Sequence, residues 1–499
     1  MSTPHEVSTP VDDGGRTRVR ASFEQRGIEP VPVEERDGHP LQLFWVWFAA
    51  NISILGIPLG ATLVALGLNL WQALVVAAIG AFGSFALVGL ISIAGRRGGA
   101  PSLTLSRAVF GVRGNVLPTL VSLGSRLGWE TVNTATAAFA LLSLSALLFG
   151  TDADAHQVPA LAIACILIFV FLTVAVSGMG HSFLVRVQKY ATWAFGALNV
   201  FVAAFLVATV DWSAVTSAPA GPAVAMVVGV GIIAGGTGIG WANAGADMSR
   251  YQAPRVRAGQ LVASASAGAG IPLVLLIGLG SLLSVGDPSL GSASDPVAAI
   301  RDLLPEWVAV PYLLAAFGGL LLSNHLSVYS AGLTTLTLGI RIKRVYAVVV
   351  DVVVTTAGAI YFMLFASSFY GPFITFIALL SVPVTAWVAV FLVDLVRRAD
   401  YDSAGLMDLS RSSAYWYRGG VEWRALTAWA VAIVLGYFFT RAQVTAEEVW
   451  FTGALYDTWI GQNGLGWVVS FVVAGGIYLA LGGARGAGAV ARGEKSARR

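Results

Sequence analysis

The chain has 499 residues, 56% of them hydrophobic and only 11% charged, with a mean hydropathy of +0.76. That balance excludes a soluble globular protein, and a formal net charge of +3 gives no reason to expect a nucleic-acid partner. What remains is an integral membrane protein.

The first 40 residues are polar and lack an apolar h-region, so they are expected to be a flexible cytoplasmic arm (1–40) and not a secretory signal peptide. Twelve apolar runs of bilayer length follow, near 41–66, 71–94, 117–148, 158–178, 190–210, 223–247, 259–284, 308–339, 345–367, 371–395, 425–440 and 464–482. They are numbered here as spans 1 to 12, and a tail, 483–499, closes the chain.

Span 1 places Asn51, Ser53, Gly56, Pro58 and Gly60 where a regular span would carry Leu and Val. Pro58 removes a backbone donor and its ring clashes with the preceding turn, so the helix is expected to break near it. In span 3 the stretch GSRLGWETVNTATAAFA puts Arg126, Trp129, Glu130 and Asn133 at i, i+3, i+4 and i+7, on one helical face that is expected to avoid lipid. The simplest reading of Arg126 and Glu130 is a buried ion pair on the cytoplasmic side of Trp129; the functional one is a gate or proton relay. The single cysteine, Cys165 in span 4, excludes an intramolecular disulfide and reads as a small core residue.

Span 6 carries Gly235, Gly236, Gly238 and Gly240 at mid-depth, which is expected to unwind the helix or pack it closely. Asp247 and Arg250 at its cytoplasmic end read as a structural cap or interface pair. Span 8 is polar at mid-depth through Ser323, Asn324, His325 and Ser327. His325 titrates near neutral pH and is a candidate for proton coupling. Asp351 and Asp394, near the cytoplasmic ends of spans 9 and 10, read as structural anchors.

All but Arg126, Arg301 and Arg441 of the 30 Lys and Arg residues fall in the arm, in the tail or at alternate connections, so both termini are expected in the cytoplasm. The preference for Arg over Lys suggests a GC-rich bacterial genome and hence the plasma (inner) membrane. Spans 1 and 6 are five apart, and because five is odd the second set of five inserts upside down. Matching interruptions in two such halves point to a secondary transporter with its site at the breaks. The expected organisation is a first repeat over 41–210, an inverted second over 223–395, and two peripheral helices over 425–482.

A site lined by Trp129, Asn133 and Trp241 suits a flat heterocycle, with an indole on each ring face and a carboxamide reading one edge. Two other classes fit these residues less well. An amino acid symporter with the same breaks needs no aromatic pair, and a polytopic enzyme would need a metal cluster or an activated nucleophile, for which no signature appears.

The chain resembles the nucleobase:cation symporters, purine-cytosine permease branch, over about residues 40 to 400. The resemblance is carried by SRAVFGVRGNVLPTL before span 3, LGWETVN in span 3, GWANAGADMSRYQ in span 6, SNHLSVYSAGL in span 8 and VPVTAWVAVFLVD in span 10. It implies an all-α membrane fold of twelve helices, a five-plus-five inverted repeat of the LeuT type with helices 1 and 6 broken. It further implies a symporter that is not an enzyme, has no resident cofactor, and has a small heterocycle and the lipid bilayer as partners. Carried over residue by residue, the substrate positions are Ser53, Trp129, Asn133 and Trp241; Gly240 beside Trp241 is a further candidate, as are Asn324 and Ser327 in span 8, where the chain departs from the family's several asparagines and keeps only Asn324. Cytosine, adenine, hypoxanthine, uracil, allantoin and a vitamin with a related ring stay open. The family's sodium site falls on Ala49, Ile52 and Ser323, but the position before Ser323 is Leu322 where a second hydroxyl belongs. A hard cation would be short of an oxygen, so H+ is preferred to Na+, with His325, Glu130 and Arg126 as relay or gate candidates.

Overall fold

In a computed structural model the described residues are 27–177, 181–286, 290, 296–340, 344–366, 370–444 and 448–482. Residues 1–26 of the expected arm, the 483–499 tail, and the connection residues Asp287, Asp295, Arg341, Lys343 and Glu447 lie outside them, as does the side chain of Arg186.

The helices run α1 (Pro40–Asn51), α2 (Gly56–Ala65), α3 (Leu70–Gly98), α4 (Ser102–Phe110), α5 (Val116–Phe149), α6 (Pro159–Ser177), α7 (His181–Thr209), α8 (Trp212–Ser217), α9 (Ala223–Ala234) and α10 (Gly245–Ser249). Then come α11 (Ala258–Gly286), α12 (Pro296–Asp302), α13 (Glu306–Thr337), α14 (Arg344–Leu364), α15 (Tyr370–Arg397), α16 (Ser403–Met407), α17 (Trp423–Phe438), α18 (Trp459–Gln462) and α19 (Gly466–Ala480). Among the described residues eight helices are long and apolar enough to cross a membrane, or nine if the bent pair α1 and α2 is one span. Shorter apolar helices at Val348–Leu364, Trp423–Phe438 and Gly466–Ala480 stand where spans 9, 11 and 12 were expected.

Span 1 is broken as expected, with a 64° bend between α1 and α2. The break falls at residues 52–55 because Pro58 is the third residue of α2, inside the first turn, where its missing N–H is not needed. Span 6 differs. Its α-helix passes into a π-helical turn at Gly235–Ile239 and a 3-10 turn at Ala242–Ala244, then resumes as α10, and the whole stretch Ala223–Ser249 still reads as one span without a sharp bend. The glycines there serve close packing: a Cβ at Gly238 would sit 2.4 Å from the Ser84 backbone carbon of α3.

Two groups of helices result. The bent pair packs on α11, and α3 lies against α9, α10 and along α11, so spans 1, 2, 6 and 7 form one bundle. In the second group α5 packs on α13, α14 and α6, bringing spans 3, 4, 8 and 9 together. The last helices α17 and α19 pack on each other and on α15, away from the broken span.

Two features depart from expectation. Residues 27–39, read as part of a flexible arm, are packed: Val31 N–H donates to Gly99 O at 2.9 Å and Gly38 N–H to Tyr251 O at 2.9 Å. Buried Arg36 donates to Val31 O, Arg96 O and Arg97 O, capping carbonyls at the end of α3 that have no partner within the helix. His39 then starts α1, its ring accepting Leu41 N–H while Gln42 accepts the His39 N–H. The fold is also not wholly α, since β1 (Arg441–Gln443) and β2 (Val449–Thr452) pair antiparallel between α17 and α19.

Candidate functional site

The polar face of span 3 lies on a continuous α5, and its four side chains meet four different neighbours. Arg126, Glu130 and Asn133 are buried and Trp129 half-buried. The Arg126 guanidinium donates through Nη2 to Gly240 O and lies over the Trp241 ring, 4.6 Å from its centroid. The Trp129 indole faces Gly240, and its ring meets Phe373 and Phe376 of α15 edge to face at 5.7 and 5.9 Å.

Arg126 and Glu130 do not form the expected i,i+4 ion pair. Among the described residues both Glu130 oxygens lack a hydrogen-bond partner within bonding geometry, and the side chains that reach its carboxyl are those of Asp351 on α14 and Ser327 on α13. The guanidinium instead crosses to span 6, where a backbone carbonyl and an indole face hold it. Asp351, read as a structural anchor, is therefore part of this cluster, and neither of its oxygens has a hydrogen-bond partner. Asp394 is the anchored one: Arg398 donates to it at 2.6 and 2.9 Å and Tyr478 at 3.3 Å. Asp247 also has a structural place, accepting Ser102 N–H at 2.7 Å and the Ser330 hydroxyl at 2.6 Å.

Asn133 and Asn324 come together across α5 and α13, Asn133 Nδ2 donating to Asn324 Oδ1 at 3.4 Å; Asn324 in turn donates to Thr173 of α6 at 3.3 Å. Asn133 Oδ1 stays without a partner. Trp241 meets Trp47 of α1 edge to face at 5.5 Å, so its indole stands between a second indole and the Arg126 guanidinium. One face of the Trp241 ring is thus held by Arg126.

Ser53 lies in the break of span 1, its hydroxyl accepting Leu55 N–H at 3.4 Å. At the sodium-type position, Ala49, Ile52 and Leu322 form an apolar cluster with Phe48, Ala191 and Phe195. Ser323 is buried beside it, and Gln188 of α7 donates to Leu322 O at 3.4 Å. His325 turns its Nε2 toward Leu172 O at 3.3 Å, on the α6 side and away from the Glu130 cluster.

Sequence reasoning missed Trp47, Phe373 and Phe376 as neighbours of the two indoles, since aromatic residues are common in these spans and nothing in their spacing marks them. Asp351 did carry a signal, a lone carboxyl in the run VVVDVVV.

Comparison with known proteins gives the family and the fold. A family model described as permease for cytosine/purines, uracil, thiamine, allantoin matches residues 30–461. YxlA of Bacillus subtilis (strain 168), which carries the name of a purine-cytosine permease, is 26% identical over 466 residues, 92% of this chain and 95% of the relative. The hydantoin permease of Microbacterium maritypicum is 24% identical over 461 residues, 88% of each chain. Among solved structures, Mhp1, a nucleobase-cation-symport-1 family transporter in a closed conformation with bromovinylhydantoin bound, superposes with a TM-score of 0.71 at 20% identity, covering 92% of this chain and 94% of its own. That likeness shows the fold, an all-α membrane transporter of the LeuT type apart from the small hairpin.

Proposed function

The chain belongs to the family of permeases for cytosine/purines, uracil, thiamine and allantoin, and from that premise we propose that it imports a nucleobase or related planar N-heterocycle by proton symport. In this reading it crosses the plasma membrane twelve times with both termini in the cytoplasm, and binds its substrate where α5, the π and 3-10 turns of span 6, and α13 converge. The observation that carries it is the convergence of Arg126, Trp129 and Trp241 at Gly240, one to two helical turns from the Asn133–Asn324 pair. Aromatic faces, N–H donors and a carboxamide are the groups that recognise a planar base. Ser53 and Ser327 complete the wall from spans 1 and 8.

The choice of coupling ion rests on two observations. Leu322 closes the sodium-type position with apolar side chains of Ala49 and Ile52, which supports loss of a hydroxyl ligand there. Glu130 faces Asp351 and Ser327 in a buried place, so two carboxyls from separate helices stand together away from bulk water, as a proton-carrying site needs. The proton's seat in this reading is the Glu130–Asp351 pair, and not His325.

Initial uptake of labelled cytosine, adenine, hypoxanthine, uracil, allantoin, hydantoin and thiamine into proteoliposomes, with proton and sodium gradients imposed separately, tests both parts. Saturable uptake of one of these driven by an inward proton gradient is expected. Uptake of none would overturn the substrate class, and uptake driven by sodium alone, indifferent to pH, would overturn the coupling.

A further inference from the structure

We propose that Arg126 reads the acceptor edge of the substrate, so that the site takes 6-oxopurines such as hypoxanthine in preference to 6-aminopurines such as adenine. This rests on the reading of the Gly240 region as the base-binding site.

The argument begins from unused donors. Arg126 is 0% exposed, and although Nη2 donates to Gly240 O, its Nε and Nη1 have no acceptor among the described residues. The neighbouring Trp129 Nε1, which points at the same glycine, has none either. Three buried N–H donors around one backbone position are costly unless something supplies acceptors. The chain's nearest carboxylate, one turn away on α5, is turned toward Ser327 and Asp351.

The guanidinium is held in place before any ligand arrives. The Trp241 ring lies beneath it and Gly240 O takes one of its hydrogens, so its remaining edge keeps a set direction. The second Nη2 hydrogen with the free N–H beside it makes a planar fork that matches two adjacent acceptors, a ring nitrogen beside a carbonyl oxygen, as on the O6/N7 edge of a 6-oxopurine. On a 6-aminopurine the same edge offers an amino group beside N7, which would set N–H against N–H. At the other end of the face, Asn133 Oδ1 is a buried acceptor without a partner, suited to a ring N–H. The site therefore has a donor end at Arg126 and an acceptor end at Asn133.

The test is uptake of labelled hypoxanthine and labelled adenine by cells expressing the full chain, each competed with the other, in the wild type, Arg126→Lys and Arg126→Gln. The wild type is expected to favour hypoxanthine by at least about tenfold, the scale on which a mismatched polar group in a dry site discriminates. Arg126→Lys keeps the charge and loses the fork, and Arg126→Gln offers a donor beside an acceptor, the pattern that reads adenine. Both should narrow the preference to less than about threefold, with membrane levels checked by surface labelling. Equal uptake of the two purines by the wild type, or an unchanged ratio in whichever variant reaches the membrane, would overturn this inference. Wild-type uptake of cytosine, uracil or hydantoin but neither purine would do the same while leaving the base-binding reading intact. Failure of every base and hydantoin would instead remove the reading on which it rests.

Discussion

The indole of Trp129 lies so close to Gly240 that a Cβ added to the glycine would sit 2.8 Å from Nε1. Phe373 and Phe376 hold the opposite side of the same ring, so it has little room to retreat. Gly240→Ala is therefore expected to displace Trp129 and lower the rate of saturable uptake by roughly tenfold or more, as misplacement of a positioning group does, with protein still in the membrane. The control is Gly83→Ala in α3, where an added Cβ meets nothing within 4 Å. Equal uptake by both variants would show that the indole's position does not matter.

Asn133 and Asn324 share one hydrogen bond, Asn324 Nδ2 passes on to Thr173, and Asn133 Oδ1 has no partner among the described residues. Asn133→Ala should weaken substrate recognition by about 1–3 kcal/mol, because a polar edge loses its partner away from water. Adding Asn324→Ala should cost less than the sum of the two single changes, since they act through one pair. Saturation curves for the single and double variants check this. An unchanged half-saturation concentration in Asn133→Ala would reduce the amide to a tie between α5 and α13.

If the Glu130–Asp351 pair holds the coupling proton, wild-type uptake should fall as external pH rises from about 5 to 8, because the proton must load from outside before transport. Glu130→Gln and Asp351→Asn should lose accumulation driven by a pH gradient while retaining exchange of substrate down its own gradient. The two activities are separable in proteoliposomes. Gradient-driven accumulation that survives in Glu130→Gln would move the proton elsewhere, to His325 first.

The Arg398–Asp394 pair is buried at the end of α15, Arg398 lying just past the helix, whereas Arg301 bonds an Asp302 whose side chain is 64% exposed. Removing one partner of a buried pair strands a charge, so Asp394→Ala should cost about 3–5 kcal/mol and lower the melting temperature in detergent markedly. Asp302→Ala should cost less than about 1 kcal/mol. Thermal unfolding of the two variants side by side measures the difference, and equal Tm values would contradict the assignment of Asp394 as an anchor.

The length of the apolar runs by itself located the eight or nine helices that are long enough to cross a membrane among the described residues, because span length answers to bilayer thickness and every backbone group must be satisfied within the helix. The break in span 1 was legible for an equally local reason, as Pro58 and its glycines act on their own turn. The polar face of span 3 was legible because 126, 129, 130 and 133 align on any α-helix, whatever surrounds it. What each of those side chains meets was decided only by the tertiary structure. Arg126 had a ready partner one turn along in Glu130, yet it pairs with Gly240 O, 114 residues away in sequence. Glu130 is left to Asp351, whose residue type announced a cost but not a neighbour. In the same way a glycine cluster in span 6 marks a need without saying which: bending and close approach use the same residue, and here α3 and Trp129 come close enough to require it. Residues 27–39 look like a polar tail until the end of α3 presents carbonyls for Arg36 to cap. Helical periodicity is a property of neighbours within a few residues, whereas the partner of a buried polar group depends on how separate helices pack.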